Sequence, residues 1–340
     1  VLGGTGFIGK RVLAKLIERG VPVTAVVRRA HSLPPFLIEA ARNGQARLVR
    51  GSLADPSGLR EALSGAHCVM QLATGNGNSW EAVERAMVKG SVAVAEVALE
   101  QGVKRYVFAS TIAALYLGAD RGTTPIADSL DTDPAPDGRS LYARGKIATE
   151  IALVALHRTK GLPLVILRPG VVLGRGTALQ HSGLGLWVRD NHCVGWGAGE
   201  NALPLVWVDD VAEALVRAAL HKGSELDGKA LNIAADPKLC AQDVIEELRR
   251  STGRALHFHP RSLFKSQAME IGKWLVKQAG RRKDAAFPSY RDLKSRALAA
   301  PLACDLARNV LGWKPVEERE RFLEVAVRAM SMDDAAANIG

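Results

Sequence analysis

Val1-Leu2-Gly3-Gly4-Thr5-Gly6-Phe7-Ile8-Gly9 places glycines at 3, 6 and 9, where an apolar strand turns into a helix. That spacing lets the backbone come close to a pyrophosphate and rest it on the helix N-terminus, where free N–H groups and the dipole favour an anion. Far downstream, Tyr142-Ala143-Arg144-Gly145-Lys146 sets a phenol and an ammonium at i and i+4, on one face of a helix. An ammonium beside a phenol lowers its pKa, as a general acid/base working near neutral pH requires. Each string is short enough to arise by chance. In this order and at this separation, the two together point to nicotinamide chemistry.

Around them, short β-branched apolar runs alternate with helical patterns, the signature of parallel strands joined by crossover helices. Val23–Val27 and Ala46–Arg50 read as strands, followed by 68–72, 106–109 and 164–167. The last is near-continuously apolar, as a strand buried on both faces should be. Helical periodicity runs over 8–18, 79–100 and 141–157, and Gly20 and Gly102 stand just past two of these helices as stops. The Pro-, Gly- and Asp-rich stretch 120–139 reads as an irregular loop at the rim of the substrate site. The expected architecture is α/β: a doubly wound parallel sheet with a smaller, mostly C-terminal substrate-binding portion. Residues 1–173 are expected to form the dinucleotide-binding domain, with a return segment near 205–235. Residues 174–204 and 236–330 would form the substrate-binding portion, and 331–340 a tail.

These segments make the chain resemble the extended short-chain dehydrogenase/reductase family, often labelled NAD-dependent epimerase/dehydratase. The resemblance covers residues 1–235 and returns weakly at Leu311-Gly312-Trp313-Lys314-Pro315. Phe108-Ala109-Ser110-Thr111 resembles the strand end that carries the family's catalytic hydroxyl, and Leu167-Arg168-Pro169-Gly170 resembles its sixth strand and cofactor loop. Leu72-Ala73-Thr74 resembles the strand end beside the cofactor, and Val206-Trp207-Val208-Asp209-Asp210-Val211-Ala212 the VxVxDVA segment. The resemblance implies a Rossmann-type fold and assigns Gly3, Thr5, Gly6, Phe7, Ile8, Gly9, Ala73, Thr74, Pro169 and Val171 to the cofactor site. It makes Tyr142 the residue that exchanges a proton with the substrate oxygen. Lys146 would lower the tyrosine pKa and hydrogen-bond the nicotinamide ribose, so both residues also touch the cofactor. The third hydroxyl, which orients the substrate oxygen and stabilises charge there, would come from Thr111 or its neighbour Ser110. The register favours Thr111, whose bland alternative is a buried cap on the next turn.

The strand Val23–Val27 ends in Arg28-Arg29, not in an acidic residue. An Asp or Glu there would accept hydrogen bonds from the adenosine ribose and select NAD, whereas Arg accommodates the 2′-phosphate of NADP. The expectation is NADP(H), with Arg28 as principal phosphate ligand and Arg29 or Arg11 assisting; NAD(H) is the alternative. Relatives commonly carry an Asp directly after the glycine of Gly51-Ser52-Leu53-Ala54-Asp55. Here Ser52 can make one of those contacts, Leu53 is placed beside the adenine, and Asp55 reads as a helix N-cap before Pro56. Met87 stands where many relatives have Asn.

Departures from the family narrow the reaction. Thr111 is followed by Ile112-Ala113, where 4,6-dehydratases carry an Asp-Glu pair for water elimination. Arg168-Pro169-Gly170-Val171-Val172-Leu173-Gly174 and Leu203-Pro204-Leu205 lack the Asn and Arg with which many relatives hold a sugar diphosphate. The balance favours an NADP-linked carbonyl reductase or alcohol dehydrogenase, as in the dihydroflavonol-reductase-like and hydroxysteroid-dehydrogenase-like branches. Two alternatives stay open: a nucleotide-sugar epimerase or related enzyme with bound NAD(P), and a non-catalytic dinucleotide-binding regulator or scaffold. Trp187, Trp196 and Trp207 could line an apolar pocket or serve the core.

Composition bounds the rest. With 340 residues, 47% of them hydrophobic, the chain can bury a sizeable core. Cys68, Cys193, Cys240 and Cys304 are scattered without a CxxC, which fits a reducing cytoplasm. His181, His192, His257 and His259 lack ligand spacing with Cys, Asp or Glu, and no metal is expected. No apolar run reaches a membrane span. The chain starts inside a strand without an initiator Met, so a few strand residues are expected upstream, where a targeting segment stays open.

The net charge is +10, and residues 254–296 hold eleven Lys or Arg against Glu270, Asp284 and Asp292. That surplus of eight can attract anionic lipid, nucleic acid or a phosphorylated substrate, or belong to a solvated helical face. No nucleic acid is expected. Residues 263–283 read first as an ordinary structural helix, and otherwise as a basic amphipathic helix that could lie on a membrane, cover the active site or pack on a second subunit. The expected partners are a small carbonyl or alcohol substrate and, since relatives commonly dimerise through helices flanking the YxxxK segment, a second copy.

Overall fold

Leu2 lies between two parallel strands and organises the sheet. It bridges Val26 on one side and Gln71 on the other. Its N–H donates to the Met70 carbonyl at 2.9 Å, and its carbonyl accepts from the Leu72 N–H at 2.9 Å. In this computed structural model, residues 1–28, 33–53, 58–118, 124–279 and 288–331 are described. The strands are β1 (Val23–Val27), β2 (Ala46–Arg50), β3 (Cys68–Gln71), β4 (Arg105–Ala109), β5 (Leu164–Pro169), β6 (Val171–Leu173), β7 (Leu186–Val188), β8 (His192–Val194), β9 (Leu205–Trp207), β10 (Lys229–Ile233) and β11 (His257–His259). The main sheet runs β2-β1-Leu2-β3-β4-β5-β10, parallel throughout. Chain order moves outward from Leu2 in both directions, so its carboxyl end is the switch point at which open α/β sheets bind ligands. The doubly wound α/β expectation is met. β6 pairs with β9, and β7, β8 and β11 form a small second sheet.

The helices are α1 (Phe7–Glu18), α2 (Pro35–Arg42), α3 (Leu59–Leu63), α4 (Trp80–Val83), α5 (Gly90–Glu100), α6 (Leu141–Lys160), α7 (Val208–Leu220), α8 (Ala241–Thr252), α9 (Leu263–Ala279), α10 (Tyr290–Ala297), α11 (Asp305–Asn309) and α12 (Arg319–Phe322). Every residue of β4 and β5 is buried. Their side chains alternate between two layers, as the pleat requires. Val107, Ala109, Val165 and Leu167 join one core with α1 and α7, while Tyr106, Phe108, Leu164 and Ile166 join the other with α5 and α6. Among the described residues, no helix is long and apolar enough to cross a membrane.

The helix expected over 79–100 differs from a single α-helix. It widens into a π-helical stretch at Glu84–Lys89 between α4 and α5. Gly75 and Gly145 both press on this stretch: a Cβ on Gly75 would stand 2.3 Å from the Ala86 carbonyl carbon, and one on Gly145 2.8 Å from Met87 Sδ. Met87, where relatives carry Asn, is therefore a buried packing residue against the tyrosine helix.

The two distant segments of the family resemblance meet in space. Trp313 Nε1 donates to the Asp210 carbonyl at 2.8 Å, and the Val316 N–H donates to Asp210 Oδ2 at 2.8 Å. Burial pushes the Asp210 carboxyl up to about 6, against the Val316 bond. A raised carboxyl adds stability below its unfolded value near 4 and loses it as pH rises through about 6. Asp210→Asn keeps an acceptor for Val316 and removes the titration. In urea titrations the variant is expected to gain about 1–3 kcal/mol on the parent between pH 4 and pH 7. A pH-independent gap between the two would refute the burial argument.

Candidate active site

At the carboxyl end of Leu2 the chain turns sharply into α1. Gly3 has φ +82°, and a Cβ there would lie 2.5 Å from the Ala73 N. A Cβ on Gly9 would lie 2.1 Å from the Gly3 carbonyl oxygen, so helix and turn touch through bare backbone. Gly6 starts α1 with no side-chain cap. The first-turn N–H groups thus keep the anion-binding capacity of a helix N-terminus, and a cradle too tight for any Cβ suits a pyrophosphate. Arg28 is exposed just past β1, Thr5 is half-buried, and Leu53 is buried under Gly90. Ser52 directly follows the β2 glycine, while Ala73 and the exposed Thr74 follow β3. Arg29 and Asp55 lie outside the described residues. Arg11 takes another role than the assisting one expected, since its guanidinium is held by Asp209 at 3.5 Å and the Arg175 carbonyl at 3.1 Å.

Tyr142 is the second residue of α6, whose start is capped by Ser140 accepting from the Ala143 N–H. Its side chain is 46% exposed and faces a cavity. Thr111 follows β4 and lies on the same cavity as Tyr142. Its Oγ1 accepts from the Ala113 N–H at 3.2 Å, capping the turn Ile112–Ala114. Lys146 is buried one turn along, where its Nζ donates to the Ala109 carbonyl at 2.8 Å. Burial pushes this ammonium down to about 8, against the raising pull of Glu150. The sequence assigned the tuning of the phenol to Lys146. In the structure the phenol lies above its ordinary value, and the neighbouring Thr111 hydroxyl opposes that rise.

Ser110 and Thr111 point to different destinations, as successive residues at a strand end do. Ser110 Oγ hydrogen-bonds Glu150, which also receives the Arg168 guanidinium at 2.7 Å from Nη2. Arg168 Nη1 donates to the Leu130 carbonyl at 2.7 Å. Both charged residues are buried. Sequence reading missed Glu150, yet the signal was present: it stands four residues beyond Lys146 on the same helical face.

A cavity of about 600 Å³ begins at Phe7 and Ile8 of the cradle and runs past Thr111, Tyr142, Pro169 and Val171. Its walls are largely apolar, with Ile112, Leu117, Val172, Leu203 and Trp196 among them. Trp187 lines a neighbouring cavity, while Trp207 packs on Gly174 instead. At the rim, Arg139 is buried between Asp133 at 2.8 Å and Asp292 at 3.1 Å, and also donates to the Leu115 carbonyl. Burial alone would raise Asp133, but hydrogen bonds from Arg291, the Ala135 N–H and Arg139 hold its carboxyl below the ordinary value. The loop thus contributes charge-paired walls from 124–139, with 119–123 outside the described residues. His192 stacks on His257 and His259 with ring centroids 5.2 and 5.1 Å away. Among the described residues, no group of three or more His, Cys, Asp or Glu is disposed to hold a metal ion.

The NAD dependent epimerase/dehydratase family model matches residues 1–234. A cinnamoyl-CoA reductase 1 of Arabidopsis thaliana is 30% identical over 179 residues, 51% of this chain and 52% of that protein. The chain therefore spans about half the length of that reductase. A 2-alkyl-3-oxoalkanoate reductase of Stenotrophomonas maltophilia (strain K279a) is 29% identical over 260 residues, 74% of this chain and 75% of that one. Among solved structures, gox2253 is similar with a TM-score of 0.73 and 23% identity, over 96% of this chain and 95% of that one. MoeE5 in complex with UDP-glucuronic acid and NAD gives a TM-score of 0.68 at 22% identity, over 96% of each chain. At these identities the structural likeness speaks for the fold alone.

The buried pair generates a prediction of its own. Glu150→Gln leaves the Arg168 charge enclosed without a counter-charge and is expected to cost about 3–5 kcal/mol in chemical denaturation. Arg168→Met in the same chain should return most of that loss, because the orphaned charge is gone. Equal destabilisation of the single and double variants would show that the pair acts only through packing.

Proposed function

Since the chain belongs to the NAD-dependent epimerase/dehydratase family, we propose that it is an NADP-linked oxidoreductase interconverting a carbonyl and an alcohol. The observation that carries this reading is that Tyr142 and Thr111 line one cavity that begins at the glycine cradle, with Lys146 buried one turn along the tyrosine helix. A nicotinamide dinucleotide, when bound, supplies or accepts the hydride. The chain does the rest. Tyr142 moves the proton at the substrate oxygen, and Thr111 holds that oxygen and the phenol in register. Lys146, charged below about pH 8, meets the nicotinamide ribose and lends positive charge to the site.

Two observations support reduction over sugar-nucleotide chemistry. The residues after Thr111 that face the cavity are Ile112 and Ala113, which offer neither acid nor base for elimination. The walls are mostly apolar, which suits a ketone or aldehyde with a hydrocarbon body better than a diphosphate. The name of one relative, a 2-alkyl-3-oxoalkanoate reductase, agrees with a ketone substrate. Arg28, exposed where β1 ends, is the proposed 2′-phosphate ligand. A homodimer through the helices flanking the YxxxK segment belongs to the same proposal.

Nicotinamide fluorescence should give a lower dissociation constant for NADPH than for NADH, with Arg28→Ala removing the preference by about tenfold or more. NADH binding equal to or tighter than NADPH would overturn the Arg28 assignment. Tyr142→Phe is expected to lower turnover of a ketone by about 10²–10⁴-fold while leaving the NADPH dissociation constant within about threefold. NADPH affinity should weaken above about pH 8 as Lys146 loses its proton, and Lys146→Met should bind weakly without that pH dependence.

A further inference from the structure

The outer face of α9 is apolar and uncovered. Phe264 is 80% exposed, Val276 74% and Leu275 56%. At about 100° per residue, these three, with Ala268 and Gly272 between them, fall within one third of the helix circumference. The single charge within that arc is Lys265, and Lys273 stands beside it with its Glu270 partner at 2.7 Å. An apolar stripe edged by lysines on a protruding helix has a specific match in a lipid surface. The charge says which surface. This helix itself carries Lys265, Lys273 and Lys277 against Glu270, and the whole chain carries +10. A second copy seated on the stripe would bring two such segments face to face. An anionic bilayer neutralises them instead.

We propose that α9 seats this protein on an anionic lipid surface, with Phe264, Leu275 and Val276 entering the headgroup layer and the flanking lysines pairing with lipid phosphates. The inner side of the same helix, through Ser266 and Met269, roofs a cavity of about 610 Å³. That cavity shares Trp196 and Arg296 with the one that contains Tyr142. A helix seated in lipid on one side thus closes, on the other, a chamber leading toward the proposed site of reduction. Only this last point rests on the reductase reading; the docking does not.

Flotation with vesicles tests it without reference to turnover. The full chain is incubated with vesicles of phosphatidylcholine alone, or containing about one third phosphatidylglycerol, at about 0.1 M salt. The expected result is at least about tenfold stronger partition onto the anionic vesicles, lost to a similar degree in Phe264→Asp and in Val276→Asp. Both positions are solvent-exposed, and thermal melting verifies that the variants are folded. Equal partition of parent and variants, or none onto anionic vesicles, overturns the proposal. So does a dimer in sedimentation that Phe264→Asp turns into a monomer, which would assign the stripe to a second copy.

Discussion

Two charges sealed inside the protein decide where the tyrosine can stand. Arg168 on β5 and Glu150 on α6 are both buried, and Arg168 meets the carboxylate through Nε and Nη2. An isolated charge in such surroundings is costly, so neither element can slide without leaving the other unpaired. Glu150 lies two turns along α6 from Tyr142 and one turn from Lys146, so fixing its position fixes theirs. Ser110 completes the carboxylate's coordination, which ties the end of β4 into the same lock and leaves Thr111 facing the cavity. The pairing that defines the site is thus structural, and the groups suited to chemistry are its neighbours.

Strands of the parallel sheet buried on both faces were legible as continuous apolar runs, and Val23–Val27 could be read to its ends, as could the edge strand Ala46–Arg50 despite its exposed Arg47 and Arg50. The three-residue strands β6 to β9 and β11 were not, since so short a segment cannot display a period of two. The π-helical stretch at Glu84–Lys89 was hidden for another reason. It arises from glycines at 75 and 145, which are remote in sequence and become neighbours only when α6 packs. The glycine cradle and the tyrosine helix carried their own spacing. Arg139, Asp133 and Asp292 did not, because a buried ion pair looks in sequence like any pair of surface charges.

The C-terminal segments share an apolar core with the nucleotide half, and polar contacts fix how they dock on it. Asp292 of α10 receives both the Arg139 guanidinium and the Ser140 N–H at 3.1 Å, at the very start of the tyrosine helix. Arg291 clamps Asp133 and lies over the Tyr116 ring at 3.7 Å. Trp313 and Val316 fasten onto Asp210 at the start of α7. Directional contacts of this kind specify one docking geometry, whereas apolar contact alone would tolerate several. They also place the wall of the cavity and the start of α6 on one network, so the shape of the site and the position of Tyr142 are set together.

The apolar residues are mostly enclosed, and one helical face departs from that pattern. Charged Arg139, Asp133, Arg168 and Glu150 are enclosed, while Phe264, Leu275 and Val276 are left in solvent on α9. Single exposed hydrophobic side chains need no explanation, but several along one helical face do. Nor does the helix lack a core to join, since its other side already packs over a cavity lined by Trp187, Trp196 and Leu293. The side of the helix turned to that cavity presents Ser266, Gln267, Met269 and Glu270, so its most exposed apolar side chains are gathered on the face turned away from the fold.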